Sequence, residues 1–112
     1  MIIGCTGNYR KEEYFSILER VHSLLEKSDV KFLISDDMQK NASFNIPDFY
    51  SLTSFSDMAK QADILFAIGG DGTILSTVRR LGVSQKPILG IPDFESVSTL
   101  ILKWIISYII IS

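Results

Sequence analysis

The sequence predicts an α/β domain with a mostly parallel sheet and flanking helices. Short apolar runs, bounded by glycine or polar residues, alternate along the chain with segments whose apolar positions recur every three or four residues. One run, residues 64–68, is apolar without interruption, which is typical of a strand covered on both faces. Alternation of this kind favours parallel strands joined by right-handed helical crossovers.

The predicted elements follow one another over residues 1–91. Strands are predicted at residues 1–5, 30–35, 49–52, 64–68 and 87–91, and helices at residues 11–27, 54–62 and 73–81. Ser54 opens a capping box that starts the second helix, and Gly82 is placed to end the third. Residues 36–48 are polar and include Pro47, so we expect a loop there.

The composition of the 112-residue chain argues against several functional classes. The 11 Lys and Arg residues nearly balance the 13 Asp and Glu residues and form no basic stripe, so nothing favours a nucleic-acid partner. A single cysteine and a single histidine provide neither an internal disulfide nor a metal cluster, so no metal-ligating residue is predicted. The sequence opens without a secretory signal pattern, and we expect a cytoplasmic protein.

The segment Gly69-Gly70-Asp71-Gly72-Thr73 lies between the buried run and the third helix. Ligands of parallel sheets bind outside the carboxyl ends of the strands, and glycines allow the backbone to approach them closely. Free amides at the start of a helix favour an anion such as phosphate. A carboxylate among such amides suits a proton acceptor or a group that positions magnesium. An ordinary strand–helix connection, with Asp71 capping the helix, would explain the same residues without a ligand.

This segment and its surroundings resemble the N-terminal domain of NAD kinase. "GGDGTIL" carries the family's GGDGT signature; "ADILFAI" precedes it, and "KPILGI" follows after a helix at the family's spacing. Diacylglycerol and sphingosine kinases share the glycine–aspartate loop, but Ile74-Leu75 stand here in place of their x-x-Glu pattern. The resemblance implies an NAD kinase-like N-terminal α/β domain at residues 1–91, with the family's C-terminal β domain absent.

The activity that the resemblance implies is transfer of phosphate from ATP, or from polyphosphate, to the 2′-hydroxyl of the adenosine ribose of NAD. Asp71 matches the family's proton acceptor, with Mg²⁺ or another divalent cation neutralising charge at the phosphates. An intact enzyme of this kind is expected to be a homo-oligomer that binds small-molecule nucleotides. The implied nucleotide-binding residues are Asn8, Gly69, Gly70, Asp71, Gly72 and Thr73.

Three departures from the family pattern make us expect the chain to be inactive alone. Ser76 stands where many members carry Arg, Lys or His, and "PDFESVSTL" replaces the family's Asn-x-Gly-x-Leu-Gly-Phe after residue 91. The resemblance also implies a second domain that holds most of the NAD pocket, and we expect this domain to be absent. A lipid kinase relative and a non-catalytic nucleotide-binding fragment are therefore alternative functions.

Residues 92–112 show neither strand alternation nor a helical stripe in the sequence, and we interpret them as a non-family apolar tail produced by a frameshift. A native, membrane-seeking tail is the alternative. The apolar stretch of about 12 residues is, however, shorter than the roughly 20 that a membrane-spanning helix needs. We therefore expect no membrane span.

Overall fold

The computed structural model of the chain describes residues 1–8, 13–36 and 48–111, without the side chains of residues 108–111. The strands are β1 (Ile2–Gly7), β2 (Lys31–Ser35), β3 (Tyr50–Thr53), β4 (Ile64–Ile68) and β5 (Ile88–Ile91). The helices are α1 (Tyr14–Leu25), α2 (Phe55–Gln61), α3 (Asp71–Leu81) and α4 (Val97–Ile111). The predicted α/β class is confirmed, while most of the loop predicted at residues 36–48 lies outside the described residues.

The strands form one parallel sheet in the order β3-β2-β1-β4-β5. The chain winds outwards from β1 to β3 on one side, crosses over, and winds outwards from β4 to β5 on the other side. The winding direction therefore reverses between β1 and β4. Such a reversal leaves a crevice at the carboxyl ends of the two strands, where open parallel sheets bind ligands.

Two apolar clusters cover the two faces of this sheet. One joins α1 and α4 to the sheet through buried residues that include Ile17, Leu18, Ile68, Ile91 and Ile101. The other joins α2 and α3 to the sheet through Leu33, Phe55, Met58, Leu65 and Leu81. Helices on both faces explain why β4 is an uninterrupted apolar run, since neither side of that strand meets water.

The ends of α2 and α3 follow the predicted local chemistry. Ser54 Oγ accepts a hydrogen bond of 3.1 Å from the Asp57 N–H, as a capping residue does. Gly82 ends α3 with a φ of 55°. The start of α3 differs from the prediction, because the helix begins at Asp71 instead of residue 73. The aspartate and the glycine after it therefore belong to the first helical turn.

Helix α4 corrects the interpretation that residues 92–112 contain no helical stripe. Its packed apolar residues are Val97, Leu100, Ile101, Trp104 and Ile105, which recur at helical spacing. Leu102 and Ile106 lie on the outer side and are 58% and 48% exposed, so apolar residues on both sides of the helix hide the stripe in the sequence. Within the described ranges, no helix has both the length and the apolar character needed to cross a membrane.

Hydrogen bonds join the start of α4, and the segment before it, to α1 and its N-cap residue. The Phe94 N–H donates to Glu13 Oε2 at 3.2 Å, and Arg20 Nη2 donates to Ser98 Oγ at 3.2 Å. The side chain of Asp93 accepts a hydrogen bond of 2.8 Å from the Ser96 N–H, which shapes the turn. These contacts place α4 beside α1 on the same face of the sheet.

Removal of the packed side chain of Ile101 tests whether α4 is an integral part of the fold. Ile101 is 2% exposed, so Ile101→Ala should lower the free energy of unfolding by about 2–5 kcal/mol through lost burial and the cavity left behind. Leu102→Ala, one residue along the same helix and exposed, should change it by no more than about 0.5 kcal/mol. Urea titrations of both variants measure the difference, and equal stabilities would show that α4 does not pack on the sheet.

Cys5 offers a second test of the core. Its thiol is buried in β1, and burial raises its pKa to about 12. At pH 8 only roughly 10⁻⁴ of such a thiol is ionised, against about a quarter for a free cysteine. An aromatic disulfide reagent should therefore label the native chain no faster than it unfolds, whereas the chain in denaturant should react at once. Rapid labelling without denaturant would mean that β1 is not buried as described.

Candidate functional site

Gly7 is the last residue of β1 and Gly69 directly follows β4, at the two strands that flank the crevice. Their φ angles are positive, 140° and 147°. A Cβ atom on Gly7 would lie 2.1 Å from the carbonyl oxygen of Ile68, in the neighbouring strand. A Cβ atom on Gly69 would lie 2.3 Å from Thr73 Oγ1, in the helix that follows. These glycines are required by the fold itself, because a side chain at either position would collide with it.

The loop also contains glycines of a different kind. Gly70 has a negative φ of −80° and is the N-cap of α3, and Gly72 lies in the first turn of the helix. Apart from the adjacent residues and the helix's own backbone, no atom of the described residues lies within 4 Å of the place where a Cβ on either glycine would sit. The described fold therefore does not require glycine at these two positions, and their open surroundings leave room for another molecule.

The first turn of α3 exposes its backbone and a carboxylate. The N–H of Thr73 donates to the Gly70 carbonyl at 3.0 Å, and the amides before it precede the helical hydrogen-bond ladder. Asp71 occupies the first helical turn and is exposed. Because the N-cap is Gly70, the alternative in which Asp71 caps the helix does not explain the aspartate.

A cleft of about 240 Å³ lies between the end of β1 and α3, and we call it the α3 cleft. Three predicted residues, Asn8, Gly72 and Thr73, line it. Gly69 lies against the side chain of Thr73. Gly70 and Asp71 do not line the cleft and lie on the exposed turn just before Gly72. The complete lining is Thr6, Gly7, Asn8, Gly72, Thr73, Ser76, Thr77 and Arg80.

Five lining residues were not predicted as site residues from the sequence: Thr6, Gly7, Ser76, Thr77 and Arg80. The last three share one face of α3 with Thr73, at spacings of three, four and seven residues. That spacing is a usable signal, but the direction in which the face points emerges only once the helix is docked on the sheet. The Thr77 hydroxyl donates to the Thr73 carbonyl at 2.8 Å and is thereby fixed along the wall of the cleft.

The polarity of the α3 cleft suits an anion. The hydroxyls of Thr73 and Ser76 and the amide of Asn8 are hydrogen-bonding groups that can donate, and among the described lining residues Arg80 provides the one formal charge. The guanidinium of Arg80 also lies 3.9 Å from the centre of the Phe55 ring. In the part of the chain that the structure describes, no group of three or more His, Cys, Asp or Glu side chains could hold a metal ion.

The two kinds of glycine predict opposite effects on stability. Gly7→Ala should lower the free energy of unfolding by about 3 kcal/mol or more, because the added methyl group meets a backbone carbonyl in a strained conformation. Gly72→Ala adds a methyl group in open space within a helix and should leave stability unchanged or raise it by up to about 1 kcal/mol. Thermal or urea unfolding of both variants separates the two, and a large loss at Gly72 would mean that the fold requires its glycine.

Comparison with known proteins identifies the family that this region matches. Residues 3–93 match the model of the ATP-NAD kinase N-terminal domain. The NAD kinase of Methanopyrus kandleri is 32% identical over 90 residues, which cover 80% of this chain and 30% of that protein. The NAD kinase of Cytophaga hutchinsonii is 30% identical over 95 residues, which cover 81% of this chain and 32% of that protein. The chain thus spans about a third of the length of the curated relatives it matches.

The fold has a counterpart among solved structures. Yeast NADH kinase, crystallised in complex with NADH, aligns with a TM-score of 0.71 and 20% sequence identity, over 92% of this chain and 37% of that one. At this identity the similarity shows the fold alone. The predicted domain boundary at residue 91 and the predicted frameshift beyond it stay predictions. Because the family model covers residues 3–93 of the 112, the chain belongs to the ATP-NAD kinase family and carries its N-terminal domain.

Proposed function

We propose that this domain supplies the phosphate-binding loop and the proton acceptor for ATP-dependent phosphorylation of NAD at its adenosine ribose 2′-hydroxyl. The observation that carries the proposal is the pair Gly70 and Gly72, which the described fold does not require to be glycine. They stand at the carboxyl end of β4, beside the crevice where the winding of the sheet reverses. Membership of the ATP-NAD kinase family supports the choice of phosphate donor and acceptor.

In the proposed reaction, the chain positions the reacting groups and stabilises the negative charge of the phosphates. The exposed amides at the start of α3 would bind phosphate oxygens, and the helix dipole would favour the negative charge that gathers there. Without side chains at Gly70 and Gly72, a phosphate can approach the backbone closely. Holding donor and acceptor in line accounts for most of the catalysis in phosphoryl transfer.

Asp71 would accept the proton from the attacking hydroxyl. A bond forms between the ribose 2′-oxygen and the γ-phosphorus, the bond from that phosphorus to the β–γ bridging oxygen breaks, and ADP leaves. The proton of the hydroxyl passes to the Asp71 carboxylate, which is exposed on the first turn of α3 and can reach a bound ligand. The adjacent cleft, lined with hydroxyl groups, would hold the rest of the nucleotide.

A divalent cation fits this site as a companion of the substrate. Magnesium in kinases is usually held by one or two carboxylates together with substrate phosphates and water. Asp71 provides one carboxylate at the phosphate loop, which agrees with that arrangement. When bound, the cation would neutralise charge on the phosphates, while the chain's own residues orient the reacting groups.

The isolated chain tests binding, and a chimera tests turnover. We expect the purified 112-residue chain to bind ATP or NAD saturably in calorimetric titrations, without forming NADP. Turnover would be measured as NADP formation by the Methanopyrus kandleri NAD kinase with its matching segment replaced by residues 3–93 of this chain. Phosphorylation of diacylglycerol instead of NAD would favour the lipid kinase alternative. Absence of any nucleotide binding by the chain would overturn the proposed function.

Asp71→Asn in that chimera should lower kcat by about 10²–10⁴-fold, because the amide cannot accept the hydroxyl proton. The matched control is Asp57→Asn, since Asp57 occupies the corresponding first turn of α2 and is likewise exposed. Both substitutions remove the same charge, so a difference in kcat between them reports a role of Asp71 at the phosphate loop and not a change in net charge. Near-normal turnover of the Asp71→Asn chimera would exclude Asp71 from the proton-accepting role.

A further inference from the structure

We propose that Arg80 forms a second anion-binding point in the α3 cleft, which receives a phosphate group of the bound nucleotide away from the glycine loop. This inference rests on the proposed function for the identity of the ligand. It adds a binding residue that neither the family signature nor the sequence pattern assigns. The geometry of α3, a ring contact and the distribution of charge carry it.

The α3 cleft follows one face of α3 from its first turn to its last. Gly72 and Arg80 both line it, and eight residues of helix separate them by about 12 Å. The exposed amides of the helix lie at one end of the α3 cleft, and the Arg80 guanidinium lies at the other end. Between them lie the side chains of Thr73, Ser76 and Thr77. A ligand that follows the helix therefore meets anion-binding groups at both ends and hydroxyls in between.

The guanidinium of Arg80 is positioned by α2. It lies 3.9 Å from the centre of the Phe55 ring, and Phe55 is itself buried at the start of α2. Contact with the face of an aromatic ring restrains the guanidinium group. A group held in this way loses little freedom on binding, and its planar donors match phosphate oxygens.

The location of its charge distinguishes Arg80 from the adjacent Arg79. Arg79 is exposed on the same helical turn but does not belong to the cleft lining. Among the described lining residues, Arg80 is the one that carries a formal charge. The two arginines therefore contribute equally to the net charge of the helix and differently to the cleft, which makes Arg79 a matched control.

Calorimetric titration of the purified chain with ATP, and with adenosine for comparison, tests the proposal. Arg80→Met keeps an apolar stem that can cover Phe55 and removes the donors, so it should weaken ATP binding by about 10-fold or more, the usual cost of a lost charge-assisted hydrogen bond. Arg79→Met should weaken it less than about twofold, because an exposed charge outside the cleft is screened by salt. Adenosine, which has no phosphate, should bind all three chains equally.

Arg80→Lys is the second variant, because lysine keeps the positive charge but lacks the planar guanidinium group with its several N–H donors. Its affinity for ATP should lie between those of the wild-type chain and Arg80→Met, and circular dichroism checks that each variant is folded. Equal weakening by Arg79→Met and Arg80→Met would reduce the effect to net charge and overturn the second anion-binding point. ATP binding that is unchanged by Arg80→Met would also overturn the second anion-binding point, but it would leave the proposed function intact. Absence of ATP binding by the wild-type chain would overturn both.

Discussion

The close approach of β1 and β4 at their carboxyl ends is the constraint on which the rest of the structure depends. At the last paired position, Gly7 stands opposite Ile68, and no side chain could fit between them. The Asn8 N–H then donates to the Ile68 carbonyl at 2.8 Å and extends the contact past the end of the strand. Because the chain winds outwards from β1 on one side and from β4 on the other, the crevice opens at the carboxyl ends of this closely packed pair.

The two faces of the sheet support that crevice in different ways. On one face, α3 forms the cleft together with the end of β1, and α2 provides Phe55, over whose ring the Arg80 guanidinium lies. On the other face, α1 and α4 bury the apolar side chains of β4 and β5, directly behind the glycine loop. The ring of Trp104 in α4 meets the ring of Phe66 in β4 edge-on, with 5.5 Å between centroids. Helix α4 thus stabilises the strand that presents the loop, although it lies outside the family match.

Much of this fold could be predicted from the sequence, because burial on both faces leaves a strong pattern. Strand β4 has the predicted bounds, since its apolar run is unbroken from Ile64 to Ile68. Helix α3 begins two residues before the prediction, because Asp71 and Gly72 are poor helix formers in general but Asp71 is favourable in a first turn, where its carboxylate interacts with the helix dipole. Helix α4 was missed for the opposite reason, since exposed Leu102 and Ile106 add apolar residues to its outer face and obscure the stripe.

The residues of the candidate site likewise fall into those that could be predicted from the sequence and those that could not. The glycines, Asp71 and Thr73 could be named from the sequence because a short contiguous motif carries them. Thr6 and Arg80 could not, because they enter the α3 cleft from a neighbouring strand and from two turns along the helix. The direction in which such side chains point depends on how α3 crosses the sheet, and no local pattern encodes that angle.

The contrast among the glycines gives the strongest physical reason to expect a ligand. Glycine inside a helix costs up to about 1 kcal/mol relative to alanine, so a helical glycine without a structural reason is a burden on stability. Gly72 is such a residue, because it lies in the first turn of α3 with open space where a side chain would be. Gly70 beside it is equally unconstrained by the described residues. Gly70 and Gly72 both lie beside the exposed amides at the start of α3, where even a methyl group would stand between the backbone and a bound phosphate.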